Sequence, residues 1–144
     1  MDAAAAQNGV WHMSIAALER KIRQISDTGK LLSRAREAMA KQAVSLAKEG
    51  FAQSKAPSGN RWKPLKVRVG QPLVLTGTLS NFSYKMTSNG FILYAGADYF
   101  VHHQYGAPKK KLPARPMVPN SDSWGAWSKP MVAAAEKSIA RWMR

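Results

Sequence analysis

The chain contains no cysteine in 144 residues. That excludes disulfide staples, thiolate zinc sites and cysteine nucleophiles, and it is neutral as to compartment. Acid is scarce as well: 8 Asp and Glu stand against 22 Lys and Arg, and the carboxylates are scattered. Histidine is limited to three residues, two of them the adjacent His102 and His103. Neighbouring side chains on a helix diverge by about 100° and do not easily share a metal, and no third ligand stands at a familiar zinc spacing. No serine lies in a nucleophile elbow, no GxGxxG occurs, and Gly90–Gly96 lacks the lysine of a phosphate-binding loop. No window approaches 18 apolar residues, so no membrane span is expected. The opening MDAAAAQNGVWHM has an acid at position 2 and does not read as a signal peptide. These absences predict a chain with no cofactor, no metal and no membrane partner, made in a cytoplasm, and not an enzyme.

What is present suits a binding or assembly protein. Apolar residues make up 45% of the chain, enough for one core in a domain of 15.8 kDa. The formal net charge of +14 brings self-repulsion that an acidic counterpart would relieve. DNA, RNA, membrane phosphate and an acidic protein surface all fit that description.

Local patterns predict an α+β domain over residues 14–144, preceded by a flexible arm at 1–13. Ile15, Leu18, Ile22 and Ile25 fall at 3-4-3 spacing, one face of a short amphipathic helix with Ser14 as its N-cap. After Asp27 or Thr28 as a cap, Leu31, Leu32, Ala35, Ala38, Met39, Ala43, Leu46, Ala47 and Phe51 predict a long helix to about Gln53. Pro57-Ser58-Gly59 ends it. Alternation of Phe82, Tyr84 and Met86 with polar neighbours predicts a strand, Asn89-Gly90 a hairpin turn, and Phe91–Ala95 the returning strand. Asp98 is expected to cap a short helix through Tyr105, closed by Gly106. Ala114–Pro119 reads as extended. A last helix starts between Ser123 and Pro130, with Met131, Ala134, Ala135, Ile139 and Trp142 along one side. The expected architecture is a long N-terminal and a C-terminal helix packed on a small antiparallel sheet, with extended loops.

Two basic strips are the best interaction candidates. Lys109, Lys110 and Lys111, with Arg115 just beyond, are flanked by prolines and must project into solvent or onto a partner. Lys63, Lys66 and Arg68 form the second strip, beside Trp62. Phosphate contact by such residues would be salt-dependent and blind to sequence. Trp62 either stacks on a base or anchors its loop to a core or a neighbouring subunit, with Pro64 and Leu65 beside it. Trp124 and Trp127 lie in a Ser/Asp/Gly-rich stretch, where an inter-subunit contact is expected of at least one.

Four of these segments together resemble a known family. Residues 57–65, PSGNRWKPL, are similar to the P-x-G-x-x-W-x-P-L segment of the phage virion morphogenesis family, and Leu75-Thr76-Gly77-Thr78-Leu79 to its L-x-x-T/S-G-x-L segment. Tyr99–Gly106, YFVHHQYG, resembles its Y-A-x-x-H-Q-x-G, with Phe100 where alanine is usual; Pro113-Ala114-Arg115-Pro116-Met117 resembles its P-x-R-P-F/M. Order and spacing agree over roughly residues 30–143. The resemblance implies a tail completion protein of the kind found in Mu-type and P2-type phages. Such a protein is a virion component at the head-proximal end of the tail that helps join it to the filled head. Related neck and tail-terminator proteins form rings, often hexamers. The implied partners are further copies of the chain, head-side connector or adaptor proteins, and tail terminator or tail tube proteins. The basic loops would then face packaged double-stranded DNA in the lumen or acidic protein surfaces outside it. The rival expectation is a basic nucleic-acid-binding protein acting free of a virion.

Overall fold

A computed structural model describes residues 6–7, 10–11, 15–66, 69–70, 72–73 and 77–144. Most of the expected arm at 1–13, the proposed cap Ser14, Arg68, and Leu75 and Thr76 of the second motif lie outside these residues. Within the arm, Ala6–Gln7 (β1) and Val10–Trp11 (β2) pair as a short antiparallel ladder.

Helix α1 (Ile15–Ser26) runs almost directly into α2 (Thr28–Gln53). Only Asp27 stands between them, and its side chain accepts from the Lys30 N–H at 3.4 Å. The Asp27 N–H donates to Arg23 O (3.3 Å), ending the pattern of α1, and the Leu31 N–H donates to Asp27 O (3.2 Å), starting that of α2, while Asp27 itself is non-helical at ψ 56. α2 buries Ala35, Ala40, Ala43, Ala47 and Phe51. Leu32, expected on that face, is instead exposed, and Ala40 is sealed. Small side chains let a second helix approach closely, and α4 (Gly125–Trp142) packs along α2, contributing Trp127 and Met131 to the core. Trp142 is only half-buried.

Strands β3 (Ser83–Met86) and β4 (Phe91–Tyr94) form an antiparallel hairpin, Ser83 opposite Tyr94 and Met86 opposite Phe91. Tyr84, Met86, Phe91 and Leu93 are the less exposed residues of each alternation, and the hairpin lies against α2. Its turn is centred one residue earlier than Asn89-Gly90 predicts. The Thr87 N–H donates to Gly90 O (2.9 Å), leaving Ser88 and Asn89 in the middle. Arg36 of α2 donates to Ser88 O at 2.8 Å and ties that turn to the helix. The fold is α+β, with helices flanking a small antiparallel sheet.

The short α3 (Phe100–Tyr105) follows the hairpin. Asp98 does not cap it: Tyr99 occupies the N-cap position without a side-chain hydrogen bond. Gly106 does close it, at φ 78, where a side chain would also press on the backbone of Leu112 and Ala114. No helix among the described residues is long and apolar enough to cross a membrane.

Candidate docking face

The chain between α2 and β3 does not simply extend away from the helix. Ser54 takes a left-handed conformation (φ 52) and stops α2. Lys55 and Arg61 pair across a tight reversal, closed by the Ala56 N–H on Asn60 O and the Gly59 N–H on Ala56 O, both 2.8 Å. Pro57, Ser58 and Gly59 therefore do more than end a helix. They turn the chain back so that the Trp62 N–H reaches Ser54 O (2.8 Å) and its indole meets Phe51 edge-on, centroids 5.1 Å apart.

Trp62 is 6% exposed. Its indole N–H, which would be costly to bury unpaired, donates to Pro116 O at 2.8 Å. Arg115 makes the reciprocal connection. It is 4% exposed, and its guanidinium donates to Lys63 O (2.8 Å) and Pro64 O (3.1 Å) while its own N–H donates to His103 O (2.7 Å). Burial pulls the Arg115 guanidinium below its ordinary pKa, but an arginine stays charged at neutral pH. Gln104 completes the set: its carbonyl oxygen accepts from the N–H groups of Met117 (2.8 Å) and Val118 (3.1 Å), and its amide donates to Val118 O (2.8 Å).

These three side chains form a polar clasp joining segments 62–64, 103–104 and 115–118. Each pairs with backbone of another segment, a use of a charged or amide side chain that organises irregular chain where no sheet ladder exists. Leu79 of the second motif is buried in the same core. Three of the four segments of the sequence resemblance thus meet in the clasp, and Leu79 brings the fourth to the same core.

The clasp changes the roles expected of several residues. Arg115 is not presented to a partner, because its charge is spent on Lys63 and Pro64 carbonyls inside the molecule. Trp62 and Trp127 are core residues, not inter-subunit contacts, since both are buried against this chain's own Phe51, Met117 and Met131 cluster. Pro64 is exposed and Leu65 half-buried beside it. Trp124, at 51% exposure, is open to a neighbour.

What the clasp displays is lysine. Lys63 and Lys66 are exposed just outside it. The second strip is a closed loop: Ala107 and Leu112 exchange N–H···O bonds of 3.0 and 3.1 Å, and a 3-10 turn, Pro108–Lys110, with Lys111 at φ 52, fills the space between. Lys109, Lys110 and Lys111 are exposed on that loop. Arg115 ties the first strip to α3, through Lys63 O and Pro64 O on one side and His103 O on the other. Among the described residues ion pairs join Lys30 to Asp27 (3.1 Å) and Lys41 to Glu37 (2.9 Å), and none involves these five lysines. Exposed ammonium groups with no ion pair among the described residues suit an acidic or phosphate-bearing surface.

His102 is exposed and His103 half-buried. Desolvation, then the Arg115 and His102 charges, hold His103 below the usual histidine pKa. Among the described residues no three His, Asp or Glu side chains are grouped to hold a metal ion. No family model, no curated protein and no solved structure matches this chain.

Proposed function

We propose that this chain is a structural virion protein that completes a phage tail or neck and joins tail to head. It would act as a homo-oligomeric ring around the DNA path, hexameric by analogy with related neck rings. The observation that carries this reading is the convergence of three of the motif segments on one clasp, with Leu79 of the fourth in the core beside it. Residues picked out in the sequence because they occur together, Trp62, Leu79, Gln104 and Arg115, share one neighbourhood. Trp62, Gln104 and Arg115 act there as a unit that holds the Lys63–Pro64 segment against α3 and segment 115–118.

In this reading the lysines dock the ring onto acidic connector or tail surfaces, or face the packaged DNA in its lumen. No bond is made or broken; the work is positioning and charge complementarity. The experiment is charge reversal of Lys109, Lys110 and Lys111 to glutamate. These side chains are exposed, so the variant should fold and melt as the wild type does, yet leave unjoined heads and tails. Normal infectious particles would overturn the docking role, and a labelled protein found anywhere but the neck would overturn the assignment.

The charge of +14 and the clustered lysines also favour a second reading, a nucleic-acid-binding protein free of a virion. Binding to duplex DNA should then fall steeply with salt. Loss of that binding at moderate salt while a ring persists would favour assembly.

A further inference from the structure

The molecule has an apolar surface and an apolar helix that do not meet within one chain. Ile15 and Ile22 are seven residues apart on one face of α1 and are 76% and 56% exposed. Among the described residues α1 touches no element except α2. The backbone bonds of α1 end at Asp27 and those of α2 begin there, with Asp27 itself at a non-helical ψ of 56 between the two helices.

On the body, a groove of about 650 Å³ opens between α2, the β3–β4 hairpin, α3 and α4. Its walls include Met39, Phe91, Leu93 and Met131, and its rim carries Val101 and Trp124, 55% and 51% exposed. The volume is that of a ligand-sized cleft, and a half-open tryptophan on its rim is the kind of side chain that anchors interfaces.

Charge selects the occupant. In a chain with 22 basic residues, none lines this groove; its one charged wall residue is Asp98. Asp122 stands in the turn between Pro119 and Trp124, which also line it. Both carboxylates are exposed and neither is in an ion pair among the described residues. An apolar groove with an acidic rim rejects nucleic acid and anionic lipid. It accepts an apolar segment flanked by cations. α1 is such a segment: IAALERKIRQIS carries one acid against three bases.

We infer that α1 of one copy docks in this groove of the next, with Ile15 and Ile22 in the cleft and the exposed Arg23 towards the acidic rim of Asp98 and Asp122. The two surfaces are different patches, so the contact is head-to-tail, and repetition closes a ring when the rotation permits. This deepens the ring-forming reading and rests on it for closure, but the contact itself is testable on purified protein without any virion.

Because the chain has no cysteine, a designed pair reports cleanly. Ile22→Cys and Val101→Cys, made as separate, differently tagged variants and mixed under mild oxidation, should give a disulfide-linked heterodimer well above the level formed by either variant alone. Ile22→Asp should keep the wild-type far-UV spectrum and melting curve while weakening self-association about a hundredfold or more, as expected for a charge placed in an apolar cleft. Absence of the mixed cross-link, an unchanged oligomer in Ile22→Asp, or a wild-type chain that stays monomeric at every concentration would each overturn the inference. A positive cross-link with normal particles from the lysine variant would retain the docking and discard the lysine role.

Discussion

Helix α1 and the segment around Trp62 both carry large apolar side chains on short stretches of chain, and they are treated in opposite ways. Trp62 is drawn into the core by a turn, an aromatic edge contact with Phe51 and a hydrogen bond to Pro116 O. Ile15 and Ile22 sit on a regular helix and face outwards. The amphipathic pattern of α1 is the cleaner signal, yet among the described residues α1 meets no element but α2. The Trp62 stretch has no periodicity at all, yet its tryptophan is buried. Periodicity announces that a face wants covering; it does not say by which molecule. Polar side chains able to satisfy backbone at a distance are what close the irregular segment within one chain.

The sharpest way to break this comparison is to truncate one residue from each region. Trp62→Ala should cost about 3–5 kcal/mol of folding stability, the usual penalty for emptying a large aromatic site in a core, read as a lower denaturation midpoint. Ile22→Ala should leave the midpoint of the monomer within about 0.5 kcal/mol, as for other exposed sites. Equal losses would mean that α1 is sealed in the isolated chain and that the two regions do not differ.

A somewhat smaller effect is expected from Arg115→Met, which keeps much of the aliphatic stem and removes the donors to Lys63 O and Pro64 O. Leaving these partly buried carbonyls without their charged donor should cost about 3 kcal/mol. Hydrogen exchange should show the loss concentrated in residues 61–66, with α2 and α4 still protected. Arg115→Lys should rescue little, because one ammonium does not reproduce the planar fork that spans two carbonyls. Full rescue by lysine would show that charge alone, not the clasp geometry, holds the loops.

The long helix, the hairpin and the last helix were legible because each is written in local spacing: the alanine-rich face of α2, the alternation from Phe82 to Met86, the capping at Asp27. The clasp was not. Trp62 and Pro116 are 54 residues apart and Arg115 and Lys63 are 52 apart, and no periodicity reports a bond over such a distance. Composition misled for the same reason. An arginine in a basic stretch reads as solvent-facing, and a tryptophan in a Pro/Gly-rich one as a contact, unless buried backbone acceptors are known to await them. Asp98 shows a different limit: its spacing suited a cap, but α3 begins one residue too late to use it. The lysines were placed correctly on exposed loops because proline-flanked charge has nowhere else to go. What local spacing does not report is that Arg115 ties the Lys63–Pro64 segment to α3.

The gentlest probe is pH. His103 packs its ring edge-on against Tyr99, centroids 5.8 Å apart, and its Nδ1 is buried with no hydrogen-bond partner. Burial, then the neighbouring Arg115 and His102, depress its pKa below the ordinary value of 6.5. Between the folded and unfolded values the unfolded chain binds more protons, so stability rises with pH across that window. The His103 contribution is therefore fully present above about pH 6.5 and is lost as pH falls towards the folded value. Asp27 and Glu37, lowered first by their hydrogen bonds to Lys30 and Lys41, respond only in the more acidic carboxylate range. Melting temperature should accordingly fall between pH 7 and 5 in the wild type and fall less in His103→Phe, which keeps a ring against Tyr99 but has no proton to take up. Parallel curves for the two proteins would show that protonating His103 does not strain the clasp, and that the bond from the Arg115 N–H to His103 O tolerates a second positive charge beside it.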